Sequence, residues 1–323
     1  MYGRLAILGR VACARISLAL IVSGCGGDAP SPPSAEQDLQ PSERAERNFE
    51  DGLYERNIVF VTVDADSTIV VPWFFHVSSS AEGVERTTQG WLARAGLWEP
   101  FFYDQWSTGP NRSPFSIQPR GAIDLVVGLG GALEQILFAE GPRQLEVVID
   151  EGMSDWSGTR GETFRVHQGA ALFGDQRVEG TVLDMNRARL REGPEPGEWM
   201  FLTGARRLAI VVESTGGSPA HVAWGRIGEE EFRWPEVQVE WSAVTSFLQA
   251  RRDVPLAWEI QSPGGTALDG GLALTLTSAG MELRAEEGEG LILPVEGLFQ
   301  VTGSVVIAED SLEVRGFVRH VQR

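Results

Sequence analysis

The residues in this sequence best suited to chemistry are its tryptophans and the titratable groups beside them. Ten tryptophans are present, at 73, 91, 98, 106, 156, 199, 224, 234, 241 and 258. Several have an acid or a histidine close by: Trp73 with His76, Asp104 with Trp106, Asp155 with Trp156, and Trp258 with Glu259. Indole offers a large apolar area and an aromatic face while asking for a single hydrogen bond. Indoles around a barrel mouth would therefore bind a large hydrophobic molecule. The competing reading for each one is plain core, because a β-barrel fills its interior with aromatics. The run Trp98-Glu-Pro-Phe-Phe-Tyr-Asp-Gln-Trp106 holds more aromatics than strict alternation can bury on one face. Trp98, Phe101, Phe102, Tyr103 and Trp106 are thus expected at a pocket or between domains, and with Trp258 they form the candidate ligand-binding set.

Other chemistries are narrowed by what the chain lacks. All 27 basic side chains are arginine, so a P-loop lysine, a Schiff-base lysine and a Ser-Lys dyad are excluded. The formal charge of -18 argues against nucleic acid, which needs a basic face for its phosphates. His76, His167, His221 and His320 are far apart and show no metal-ligand spacing, so no metal and no other cofactor is expected. No Gly-x-Ser-x-Gly occurs. Gly128-Leu129-Gly130-Gly131, between the strand Ile123–Val127 and a helix expected over Ala132–Glu140, imitates a dinucleotide fingerprint. The third glycine is replaced by Leu133 and no second βαβ unit follows, so a tight turn into a surface helix is the better reading.

The elements that must position these residues begin with a leader. Arg4, Arg10 and Arg15 precede the apolar run Ile16–Val22 and then Ser23-Gly24-Cys25. This looks like a bacterial lipoprotein signal over residues 1–24, with Cys25 the lipidated residue. The alternative, a membrane span, needs ~20 apolar residues to cross ~30 Å of hydrocarbon, and this run is too short. Cleavage would remove Cys13 and shift the formal charge from -18 to -21. The expected location is the bacterial cell envelope, outside the cytoplasm and held to the membrane through Cys25. Gly26 in place of an aspartate favours the outer membrane. Residues 25–56 read as a Pro- and acid-rich flexible linker, with a short helix an alternative over Ser42–Tyr54.

From Asn57 onward short runs rich in Val, Ile, Phe, Trp and Thr alternate with turn residues, an all-β rhythm. Strands are expected at Ile58–Val63, Thr68–Val77, Ile123–Val127, Leu145–Ile149, Glu179–Met185, Leu208–Glu213, Val237–Trp241, Ala257–Gln261, Leu272–Thr277 and Val314–His320. Ala132–Glu140 and Ala243–Arg252 are the helix candidates. Two matches suggest a tandem duplication. Pro114–Pro119 with the strand Ala122–Val127 resembles Pro255–Pro263 with Leu272–Thr277, and Val178-Glu-Gly180 resembles Val314-Arg-Gly316. The halves are placed at 57–190 and 191–323, with the Pro- and Gly-rich Glu192–Gly197 at the join.

The order of a Pro-Leu-x-Trp-x-Ile-x-x-Pro strand at Pro255–Pro263, a late hairpin and a terminal Gly316-Phe317-Val318 strand resembles the lipocalin-like carotenoid 1,2-hydratase family and its bacterial relatives. Glu198-Trp199-Met200-Phe201-Leu202-Thr203-Gly204 followed by Leu208–Glu213 is similar to that family's Trp-containing strand and its following turn. The resemblance spans roughly Ser113 to Val321 and implies two tandem lipocalin-like antiparallel β-barrels or sandwiches, with one or two short helices. It departs at Gly316-Phe-Val-Arg-His320, where the family has an acid after Gly-Tyr-Val, so no catalytic acid carries over. A hydratase would need a carboxylic acid held protonated among aromatics to protonate an alkene. Asp104 is the candidate, because alternation sets Glu259 opposite Trp258.

The leading expectation is therefore a membrane-anchored lipoprotein that binds or carries a hydrophobic small molecule such as a lipid or isoprenoid. The alternatives are a hydratase- or isomerase-like lyase acting on an isoprenoid, and a structural or partner-binding envelope protein.

Overall fold

The computed structural model describes residues 52–63, 68–109, 120–128, 131–190, 197–217, 220–263, 270–287, 290–307 and 310–323. The leader, Cys25, nearly all of the linker, and Pro114–Pro119 lie outside the described residues. The architecture is all-β and antiparallel, in two sheets that follow one another along the chain.

The first sheet contains β1 (Gly52–Thr62), β2 (Ile69–Ser80), β3 (Gly83–Arg94), β4 (Leu97–Thr108), β5 (Ile123–Val127), β6 (Leu133–Glu140), β7 (Arg143–Ser157), β8 (Thr163–Phe173) and β9 (Gln176–Leu190). Its order is β4-β3-β2-β1-β9-β8-β7-β6-β5, so β4 and β5 are the edges. The sheet curls until Phe101 of β4 meets Phe138 of β6, ring centroids 4.9 Å apart. The second sheet is a closed barrel of β10 (Trp199–Gly204), β11 (Leu208–Ser214), β12 (His221–Ile227), β13 (Glu230–Phe247), β14 (Arg252–Gln261), β15 (Leu272–Ala285), β16 (Val295–Ile307) and β17 (Asp310–Gln322), with β10 pairing back to β17. β1 begins at Gly52, five residues before the first position read as strand-like in the sequence.

A continuous apolar run such as Ile58–Val61 marks a strand buried on both faces. Ile58 and Phe60 point into the curl of the first sheet with Trp73, Phe75 and Ile136. Val59 and Val61 point the other way and pack with Phe74, Phe164 and Met185 against Trp199, Phe201, Val211 and Trp224 on the outside of the barrel. The barrel fills its own interior with Met200, Leu202, Ile210, Trp258, Leu276 and Phe299. Three apolar layers therefore stack, and the middle one joins the halves. At ~1.5–3 kcal/mol per fully buried aliphatic or aromatic side chain, that layer accounts for much of the cohesion between them.

Both helix expectations are corrected. Ala132–Glu140 is strand β6, hydrogen-bonded to β5 through Ile123↔Phe138 and to β7 through Phe138↔Leu145. Ala243–Arg252 is the end of β13 and the turn into β14, with Val244 opposite Pro255 and Thr245 opposite Val254. Helix propensity differs by at most ~0.7 kcal/mol between ordinary residues, and open ladder partners on neighbouring strands outweigh it. No α-helix remains among the described residues. The direct antiparallel pairing of β5 with β6 also disposes of the βαβ reading, for Gly128 and Gly131 flank a hairpin.

The sequence match at Gly180 and Gly316 is positional: each glycine sits on the last strand of its half, opposite Thr62 of β1 and Leu202 of β10 respectively. A Cβ at Gly180 would strike the Val61 carbonyl and the Phe60 ring, and one at Gly316 would strike the Phe201 carbonyl. The other sequence match is not positional. β5 lies four strands from β9, whereas β15 lies two from β17.

Candidate functional site

Two polar centres are built into this apolar framework, one on each side of the wall formed by β10 and β17. Neighbouring residues along a strand point to opposite faces. Trp199 and Arg319 therefore face the first sheet, while Glu198 and His320 face the barrel interior.

Between the sheets, Arg187 of β9 is bonded to Glu55 of β1 at 3.2 Å and to Glu213 of β11, all three buried. Arg319 and Arg284 both bind Glu296, each at 2.9 Å, and their guanidinium carbons lie over Phe74 at 5.0 Å and Trp91 at 4.8 Å. Burial would raise the Glu55 carboxyl, but Arg187, Arg319 and Arg189, with His76 when protonated, bring it down to about 2. Burial dominates at Glu213 and raises its pKa despite Arg187, with Glu162 adding to the rise. His76, opposite Glu55 in the ladder, is lowered by burial. A small cleft of about 30 Å³ opens beside Arg187, lined by Arg160, Glu162, Arg189, Glu213 and Ser214. Its lining is charged and suits water or a small ion better than an apolar ligand.

The second centre occupies one end of the closed barrel. Glu198 immediately precedes β10 and is 8% exposed; one carboxylate oxygen lies 2.8 Å from His320 Nδ1 and the other accepts the Trp258 indole N–H at 3.1 Å. His320 is 2% exposed, and its Nε2 has no hydrogen-bond partner among the described residues. Its ring meets Trp241 at 5.2 Å and Phe299 at 6.4 Å, both edge to face. Trp241 pairs with Trp258 across β13 and β14, and Met281 with Phe299 across β15 and β16, so both point inward. Trp258 and Phe299 are fully buried, yet Trp241 is 40% and Met281 39% exposed. The interior therefore opens to solvent at this end. Val244, Leu248, Leu291 and Ile292 are exposed apolar residues on the strand and turns that extend past it, and the Leu293 N–H to Ala250 carbonyl bond of 3.1 Å ties two of those turns together. His221, at the start of β12, is lowered by burial, with Glu198 acting in the opposite direction.

The expected ligand-binding residues scatter. Trp258 lies in the barrel end just described. Trp98 packs on Phe317 at 6.0 Å in the layer between the sheets. Phe101 is inside the first sheet against Trp73 and Phe138, and Phe102 is half-buried beside Phe138 at 6.2 Å. Tyr103 is exposed, its hydroxyl donating to Gln105 at 2.9 Å, and Trp106 is half-buried beneath Arg120. β4 is an edge strand with aromatics on both faces, which is why one run of sequence supplies three surroundings. Asp104 is half-buried and Glu259 exposed. No cluster of three or more His, Cys, Asp or Glu able to hold a metal occurs among the described residues.

Sequence reasoning missed Glu198, Trp241, Met281 and His320 as a group. The available signal was the histidine standing in the terminal strand where an acid was looked for. The acid that this histidine meets, Glu198, stands just before the neighbouring strand β10.

No family model matches the sequence, and no curated protein matches it. Solved structures do match the fold. An AttH candidate from Nitrosomonas europaea aligns with a TM-score of 0.58 at 10% identity over 90% of this chain and 99% of its own. Kievitone hydratase from Nectria haematococca aligns at 0.50 with 14% identity, over 90% and 94%. CghA with Sch210972 aligns at 0.52 with 12% identity, over 84% and 89%. At these identities the likeness is one of fold, and the chain has the paired lipocalin-like architecture of these proteins.

Proposed function

We propose that this protein binds a hydrophobic small molecule, of lipid or isoprenoid type, in the open end of its closed barrel. The observation that carries this reading is the exposure of inward-facing Trp241 and Met281 beside fully buried Trp258 and Phe299. An apolar molecule entering there would replace water on an indole and a thioether and stack on aromatic faces, with few polar demands to meet. In the same reading Cys25 carries the lipid that tethers the protein to the envelope membrane, and the acidic body stays off anionic lipid.

The test has two parts. Intact protein from membrane extracts is weighed by native mass spectrometry for a co-purifying lipid and for an acylated Cys25. Purified protein is then titrated with farnesol while tryptophan emission is followed. Saturable quenching is expected, weakened about tenfold by Trp241→Ala, the equivalent of ~1.4 kcal/mol of aromatic contact. Unchanged farnesol affinity in that variant would defeat the reading.

A lyase reading has one specific observation in its favour, the buried Glu198 and His320 pair at the same opening, and the fold shared with kievitone hydratase is compatible with it.

A further inference from the structure

The pair of Glu198 and His320 is more than a satisfied buried histidine. A carboxylate with both oxygens engaged is held rigidly, and the indole N–H at one of them can only donate, so that oxygen must accept. With Glu198 taken as a carboxylate, its other oxygen accepts the Nδ1–H of His320, a tautomer assigned from this pairing, and the lone pair of Nε2 is directed away from the carboxylate. A purely structural histidine so deeply buried would be expected to use both nitrogens, because an orphaned polar atom costs ~1–3 kcal/mol. Here the second nitrogen is unused, in a ring touching half-exposed Trp241 at the mouth of the barrel.

We propose that His320, positioned by Glu198, is a general base at the open end of the closed barrel, acting on apolar molecules that carry a proton made acidic by a neighbouring carbonyl or conjugated system. The inference rests on the ligand site proposed above and adds its chemistry. His320 Nε2 takes the proton, the substrate keeps the electron pair, and Glu198 offsets the charge of the imidazolium. Return of the same proton to another carbon of the conjugated anion completes a double-bond shift with no net change in atoms or electrons. Glu198 is bonded to His320 and acts electrostatically on His221, and Arg252, which donates to the Leu293 carbonyl, and the Arg323–Glu286 pair are further charged groups on the turns and strand ends of this side.

The experiment uses 5-nitrobenzisoxazole, an apolar carbon acid. A base that removes its C3 proton sends that electron pair into a C≡N bond as the N–O bond breaks, and the coloured phenolate is read directly; the imidazolium then returns its proton to water. Wild type is compared with His320→Gln, which can still hydrogen-bond Glu198, and with Glu198→Gln. All three are checked by circular dichroism and thermal midpoint, and all are titrated with farnesol. Expected is a wild-type rate about a hundredfold above His320→Gln, within the range typical of general bases. In Glu198→Gln the pH–rate midpoint should move to lower pH, which loss of packing alone would not cause. Equal rates in folded wild type and His320→Gln overturn the proposal, even if farnesol binds all variants. A rate lost in His320→Gln with no farnesol binding to any variant would instead defeat the ligand reading and leave the base in place.

Discussion

Arg187 of the first sheet and Glu213 of the barrel form an ion pair across the interface, with 5% and 4% of their side-chain surface exposed. Glu55 completes the bridge from the other side. A guanidinium buried between two carboxylates joins the halves only while all three charges are present.

Arg187→Leu should therefore cost about 3–5 kcal/mol, because it strands two carboxylates away from water. Replacing Arg187, Glu55 and Glu213 together by apolar residues of similar volume should recover most of that loss. Urea unfolding of the single and triple variants measures both. A triple variant as unstable as the single one would show that the bridge itself, and not the uncompensated charge, supplies the stability.

The pH dependence follows from the same layer. His76 is buried and its pKa lowered, so below pH 6.5 the unfolded chain takes up a proton that the folded chain resists. That contribution to stability is present above 6.5 and is lost as pH falls through it. Glu55, lowered from 4.5 to about 2, adds a second loss between those values on the acid side. Glu213 works in the opposite sense, since a raised carboxyl favours folding more at low pH. Thermal midpoints of wild type should fall from pH 7 to 5, and His76→Gln should flatten that part of the curve.

Trp224 of β12 meets Phe164 of β8 at 4.8 Å, each almost wholly buried between the sheets. Trp224→Ala should lower stability by about 3–5 kcal/mol through the cavity it leaves. Differential scanning calorimetry would show either one lowered transition or a first sheet that melts separately from the barrel. An unchanged midpoint would contradict the packed middle layer.

Gly180→Ala and Gly316→Ala should be costly at the same structural position in each half, since the new methyl meets a backbone carbonyl on the neighbouring strand. Overpacking of this kind costs ~1–3 kcal/mol. Denaturation of the two variants should give losses of similar size if the halves are equivalent there.

Although β3, β8, β12 and β16 were not read as strands, ten of the strand runs, the all-β class, the tandem plan and a glycine shared by β9 and β17 were legible in the sequence. Each is written locally, in β-branched and aromatic runs, in turn residues and in a glycine where two backbones approach. β6 was not legible: Leu133, Ile136 and Phe138 fit a helical face as well as a strand, and only the free ladder partners of β5 and β7 decide between them. The fate of the aromatic run in β4 was likewise undetermined, because an edge strand divides its side chains among whatever the rest of the fold brings to each face. His320 and Glu198 stand 122 residues apart in sequence. Their types were visible from the start, but it is the closure of β10 onto β17 that puts the last strand of the barrel beside its first, and this turns two residues remote in sequence into one buried hydrogen-bonded pair.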